Sequence, residues 1–200
     1  MITCMGAQLT MPSYRATSLI LAFALLEASC QSTASRPCDP FLEALIPPLS
    51  ALPSGTGLGN PDRGISAESR AHPTAVCGTT GSIPGGGVAV INLYQFQDPT
   101  AAKHGYDNLV ETAQWANPDF YTPIIPNAIA VANLSPDDIW NGCFSSIVDG
   151  DSRCRVVARY ADFVYWLSLS HLEDAGLTEA DLPPIMSAME NNIISSRQRP

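Results

Sequence analysis

The feature that most limits this chain is an unbroken apolar run close to its start, Leu19 to Leu26 (LILAFALL). Arg15 is the one charge ahead of it, and the small residues Ala28, Ser29 and Cys30 come after it. A positive residue, an apolar stretch and then small residues is the order of a secretory signal. The run is well short of the ~20 residues that a membrane-crossing helix needs. The competing reading of so short a run is a buried core helix with a charged flank. Met11 is a second candidate start, because residues 1–10 add little to the signal. Residues 1–30 are therefore expected to act as an export signal, with the mature part folding outside the cytosol.

Export sets the chemistry of the six cysteines. Cys4 belongs to the signal. Cys30 directly follows the apolar run and small residues, which resembles a bacterial lipobox, where the cysteine is lipidated and becomes the new N-terminus. The pattern departs from the usual one at Glu27, where an apolar residue is expected three places before the cysteine; Leu26 stands one place too early. Two outcomes stay open: lipidation of Cys30, which is the one expected attachment to a membrane, or a plain cut after Cys30 or Ala34. Four cysteines remain, Cys38, Cys77, Cys143 and Cys154, an even number in an exported chain. Of their connectivities, Cys38–Cys77 and Cys143–Cys154 are preferred, because each pair is close in sequence and sits in one local unit. A zinc site is disfavoured, since no CxxC is present, and no cofactor is expected.

Acids outnumber bases by 19 to 10, and the formal charge is −9. Nucleic acid and anionic membrane surfaces need clustered Lys and Arg, so neither is an expected partner. An unknown small molecule or an envelope protein is.

Residues 31–82 read as a short helix and Gly/Pro-rich loops tethered by a disulfide, and residues 83–200 as an α+β domain. Asp39 and Pro40 make an N-cap and first-turn pair for a helix carrying Phe41, Leu42, Leu45, Ile46 and Leu49, which Pro47 and Pro48 cut short. Residues 53–70 read as an exposed loop. Its run Gly55-Thr56-Gly57-Leu58-Gly59 follows no strand and opens no helix, so it fails as a phosphate loop. Val88 to Phe96 reads as a buried strand. Asp98 and Pro99 then start a helix with Ala102, Tyr106, Leu109, Val110 and Ala113 on one face, weakened by Gly105 by about 1 kcal/mol relative to Ala. Ile129 to Leu134 is a short strand candidate. Trp140 to Val148 and Arg153 to Tyr160 flank the turn Asp149-Gly150-Asp151-Ser152. A second tight turn leads to Phe163–Ser170 (FVYWLSLS). In the Arg153–Tyr160 strand, Arg153, Arg155 and Arg159 alternate with Cys154, Val156, Ala158 and Tyr160, which predicts a wet face and a core face. A closing helix carries the stripe Leu182, Ile185, Met186, Met189 and Ile193, with Glu190 on its opposite, solvent side. Its cap is either a Thr178/Asp181 capping box or Asp181 itself ahead of Pro183 and Pro184. The expected fold is a two-layer α+β sandwich, a mostly antiparallel sheet with two helices packed on one face.

This ordering resembles a loose group of small actinobacterial-type envelope lipoproteins and extracellular sensor domains of receptor kinases. The residues that carry the resemblance are Phe96 to Ala102, the Cys143/Cys154 pair, and Tyr160 to Val164 leading through Leu177 to Asp181 into the last helix. It spans Val76 to Ile193 and implies an envelope location. It transfers no functional residue.

Catalytic patterns are weak. His72, His104 and His171 share no ligand spacing, and neither HExxH nor GxSxG occurs. Asp137-Asp138 and Asp149-Gly150-Asp151 lack the calcium-loop pattern, and the second of these is explained as a turn. The strongest functional hint is aromatic. Trp115, Phe120, Tyr121 and Trp140 flank a connector stiffened by Pro118, Pro123 and Pro126, and a rigid loop with exposed rings can form a binding surface. The alternative is that these rings cap the end of the sheet. The resulting expectation is an exported, more binding than catalytic, cell-envelope protein. An extracellular hydrolase built around His171 or His104, and a purely structural envelope component, are the alternatives.

Overall fold

The computed structural model of the chain describes residues 38–62, 72–129, 131, 133–170, 172 and 176–197. The expected export signal, Cys30, residues 31–37, His171 and part of the 53–70 loop lie outside them. The described residues belong to one compact unit.

Each helix begins where a side chain can cap it. Asp39 accepts the Phe41 amide at 2.8 Å and starts α1 (Pro40–Glu43), with proline at its first position. Asp98 does the same for α2 (Pro99–Gln114), accepting the Ala101 amide at 2.8 Å. Before α3 (Leu182–Arg197), Asp181 accepts from both the amide and the hydroxyl of Thr178, at 2.8 and 3.1 Å. The box cap is thus the one adopted, and Pro183 and Pro184 fall in the first turn, where no amide is needed.

Seven strands form one antiparallel sheet. They are β1 (Gly57–Leu58), β2 (Ala75–Ile83), β3 (Gly87–Gln95), β4 (Ile125–Pro126), β5 (Asp138–Ser145), β6 (Ser152–Tyr160) and β7 (Phe163–Ser170). Across the sheet the order is β1-β2-β3-β7-β6-β5-β4. The meander β5-β6-β7 turns at Asp149-Gly150, where Gly150 takes φ +76° and Asp149 Oδ1 accepts the Asp151 amide at 3.1 Å. The α+β class and the antiparallel sheet agree with the sequence pattern.

The cysteines are bonded as two bridges, Cys38–Cys77 and Cys143–Cys154, with Cα separations of 5.2 and 4.1 Å. The first ties α1 to β2. The second joins residues directly opposite each other on β5 and β6.

Ala75–Ile83 is a strand where none was expected; Cys77, Thr79, Gly81 and Ile83 point into the protein, too mixed a set to read as an apolar alternation. Within the 53–70 loop, Gly57 and Leu58 pair with β2 opposite Ser82 and Gly81. The approach is close: a side chain at Gly81 would meet the Gly57 carbonyl oxygen at 2.7 Å. The strand candidate at Ile129–Leu134 is no strand in its described residues. Instead Asn141, buried on β5, accepts the Ile129 amide at 2.9 Å and fixes the chain there as a loop, and the edge strand is Ile125–Pro126.

Helix placement also differs from expectation. α1 and α3 share one face of the sheet, where Leu42, Leu45, Leu182, Ile185, Met186, Met189 and Ile193 meet Ile91, Leu93, Val156, Tyr165 and Leu167. α2 lies on the other face, mainly over β6 and β7, where Ala102, Tyr106, Leu109 and Ala113 meet Tyr94, Val157 and Val164. The reason is in the sequence of β7: Val164 and Trp166 give its second face an apolar surface that also needs cover. The arginine side of β6 is therefore the α2 side, with Val157 fully buried on it.

Glu190 is not on the solvent side of α3. It is 5% exposed, and its carboxylate accepts from the amide and hydroxyl of Ser135 at 2.7 and 2.8 Å. It pins the segment leading into β5 to the helix. Burial, and next the charge of Glu190, push the nearby Tyr160 hydroxyl above its ordinary ionisation range.

Candidate functional site

α2 stops at Gln114, and the chain turns off into the connector that carries the predicted rings. Beyond that point no helix among the described residues covers the α2 side of β5 and β6. Strand alternation brings Phe144 of β5 and Arg153 and Arg155 of β6 to this surface, with Phe144 directly opposite Arg153. The connector closes its rim by pairing along β5: Tyr121 bridges Ser146, and Ile125 and Pro126 pair with Cys143 and Gly142.

Four side chains stack in sequence across the surface. The Arg153 guanidinium lies 5.1 Å from the centre of the Tyr121 ring. Tyr121 meets Phe144 edge to face at 5.2 Å. Arg155 lies over the Phe144 ring, 4.7 Å from its centre. Aromatic faces are negative and aromatic edges positive, so each guanidinium attracts the ring beside it, and the two rings attract each other edge to face.

The two arginines are held differently. Arg153 Nε donates to the Asp151 carboxylate at 3.2 Å. Arg155 Nη1 donates to the carbonyls of Ala113 and Trp115, at 3.0 and 2.9 Å, and so closes the C-terminal end of α2. Its Nε and Nη2 have no hydrogen-bond partner among the described residues. Burial, and next the neighbouring charge of Arg153, hold the Arg155 guanidinium below its usual pKa.

The four predicted rings take different roles. Trp115 is 68% exposed at the end of α2, and Phe120 is 53% exposed in the connector. Tyr121 is half-buried in the stack. Trp140 is half-buried too, packed against the core under α2 and over Gly142, where a side chain would meet its ring at 3.0 Å. Three further exposed apolar residues were not foreseen: Ile125, Ile147 and Val148, at 64, 57 and 76%. Ile147 donates its amide to the Phe120 carbonyl at 2.9 Å, so these two exposed residues sit side by side. Phe144, Arg153 and Arg155 were also missed as site residues. The signal was present, because a two-residue period puts all three on one face, but the arginines read as a wetted surface.

The other candidates have structural tasks. Arg159 bonds Asp138 at 2.6 Å, and Asp137 also accepts the Ala161 amide at 2.6 Å, so the acidic pair fastens the β6–β7 turn. His72 and His104 are both exposed, and neither makes a hydrogen bond or ion pair with a Ser, Asp or Glu side chain among the described residues. Among the described residues, no three His, Cys, Asp or Glu side chains converge as a metal set would, and no helix is long and apolar enough to cross a membrane. A shallow concavity of about 270 Å³ between α1 and α3 is lined by Phe41, Ala44, Leu45, Asn192, Ser195 and Ser196.

No family model matches the chain. No curated protein matches it. Among solved structures, it is similar to the crystal structure of the extracellular domain of PknH from Mycobacterium tuberculosis, with a TM-score of 0.48 and 11% identity, covering 71% of this chain and 86% of that one.

Proposed function

We propose that this protein is an exported, non-enzymatic cell-envelope domain that binds a ligand or an envelope partner at the aromatic end of its sheet. The observation that carries the reading is the concentration of exposed apolar side chains there. Trp115, Phe120, Ile147 and Val148 belong to the helix end, connector and hairpin around β5, and exposed apolar side chains gathered at one end of a sheet mark interaction sites. The connector's prolines protect this edge against pairing with a further strand. Side chains, not an added strand, are therefore the recognition elements. Two disulfides fit an oxidising compartment outside the cytosol. Lipidation at Cys30 would hold the domain at the membrane, and mass analysis of the mature N-terminus from the native host tests it.

The binding reading is tested by nuclear magnetic resonance titration with a panel of small aromatic compounds. Shifts gathered at Trp115, Phe120, Tyr121 and Ile147 are expected. Shifts gathered instead at the concavity around Asn192, or spread evenly over the surface, would overturn it. A hydrolase reading has no arrangement of His with Ser or Asp among the described residues to favour it.

A further inference from the structure

Resting on the binding reading above, we infer that the ligand carries a carboxylate on an apolar body, and that Arg155 anchors the carboxylate. The three arginines of β6 allow a comparison within one strand face. Arg153 is paired with Asp151, and Arg159 with Asp137 and Asp138. Arg155 has no carboxylate partner among the described residues, in a chain whose formal charge is −9. Carbonyls occupy its Nη1 alone. The remaining donors, Nε and Nη2, form the edge of the guanidinium that matches two carboxylate oxygens.

The setting selects the rest of the ligand. The guanidinium lies against Phe144, which is buried, so one of its faces is dry. The Trp115 main chain is bonded to it while the Trp115 side chain stays exposed. Tyr121 adds the next ring of the stack. A bare anion would use the charge and leave the apolar rim wet. A neutral aromatic would use the rim and leave the charge unpaired. A carboxylic acid with an apolar or aromatic body uses both. The same partly desolvated cation that Arg153 repels is relieved by an incoming anion.

The probes are phenylacetate and its neutral counterpart phenethyl alcohol, titrated into the full, disulfide-bonded chain and followed at the Trp115 and Tyr121 resonances. Phenylacetate is expected to bind at least about tenfold more tightly than the alcohol, the value of one charged hydrogen bond. Arg155→Gln should erase that preference, read as the ratio of the two affinities. Because Arg155 also closes α2, Arg155→Lys is the companion variant: it keeps the charge and loses the fork. It too is expected to lose most of the preference for the acid. Equal binding of acid and alcohol to the unmodified chain overturns the carboxylate inference and leaves the aromatic surface standing. A preference that survives in both variants also overturns it. If neither probe moves this end of the sheet, the binding reading fails and takes the inference with it.

Discussion

On the α3 side of the sheet, Ile91, Leu93, Tyr165 and Leu167 meet Leu182, Ile185, Met186 and Met189, and none of these side chains reaches water. All four bonded cysteines belong to this side's core. On the α2 side, helical cover among the described residues ends at Gln114, and beyond it lie Arg153, Tyr121, Phe144 and Arg155, with the Trp115 ring exposed at the helix end. One sheet thus has a face closed by packing and bridges and a face closed over only part of its width. The difference separates two demands. Core packing requires apolar contact without gaps, and recognition requires apolar and charged groups that a partner can still reach.

The closed face carries the largest expected effect. Ile185→Ala should cost about 2–5 kcal/mol, the range for truncating a fully buried isoleucine. Asn191→Ala, exposed on the same helix, should change stability by under about 0.5 kcal/mol. Urea melts of both variants decide the matter, and equal small effects would mean that α3 does not dock.

The bridges come next. Replacing Cys38 and Cys77 by serine releases a segment of sequence separation 39, against 11 for Cys143 and Cys154. On chain entropy alone the losses are about 4 and about 3 kcal/mol. Thermal or denaturant unfolding of each double variant should rank them in that order. The reverse order would show that the cross-strand bridge matters more through the folded sheet than through the unfolded chain.

Gly105 tests the α2 side. Judged from helix propensity alone, alanine there should stabilise by about 1 kcal/mol. In the structure, a Cβ at Gly105 would lie 2.2 Å from Cζ of Phe96, itself buried. Gly105→Ala must therefore push a packed ring, and a net loss of about 1–3 kcal/mol is expected. A gain in melting temperature would show that α2 rides loosely on the sheet.

Gly105 also illustrates what the sequence conveys and what it conceals. Starts and stops were legible wherever one residue decides them, as at Asp39-Pro40, Asp98-Pro99 and Thr178 with Asp181. β7 was legible because its apolar residues are dense. β2 was not, since Ala, Gly, Thr and Cys become a strand only once β3 is beside them. The loop at Ile129 was misread for a related reason: its conformation is set by Asn141, twelve positions on in the chain. Glu190 looked solvated by periodicity, and its partner Ser135 is far away in sequence. At the site, Trp115, Phe120 and Tyr121 were visible as rings in a proline-rich connector. The arginine stack was not, because neither Arg155's carbonyl partners nor its place over Phe144 has any local trace.

The smallest expected effect is at the rim, and it bears most directly on what the open end is for. Trp115→Ala and Phe120→Ala should each change stability by less than about 0.5 kcal/mol, as surface substitutions do. The structural bonds at these two positions are made by the main chain. The Trp115 carbonyl accepts from Arg155, and the Phe120 carbonyl accepts from Ile147. Alanine keeps both. Only the exposed rings are lost, and a ring left in water contributes little to folding. Tyr121→Ala is the internal contrast. It removes the contacts with Phe144 and Arg153 and should cost more, with about 0.5–1.5 kcal/mol from the ring pair alone. Melts of the three variants should therefore split two against one, with Trp115 and Phe120 variants losing binding of aromatic probes while keeping their stability. If Phe120→Ala instead destabilises as much as Tyr121→Ala, the rim is part of the core that closes the sheet end, and the surface proposed for recognition shrinks to Trp115 and the arginine beside it.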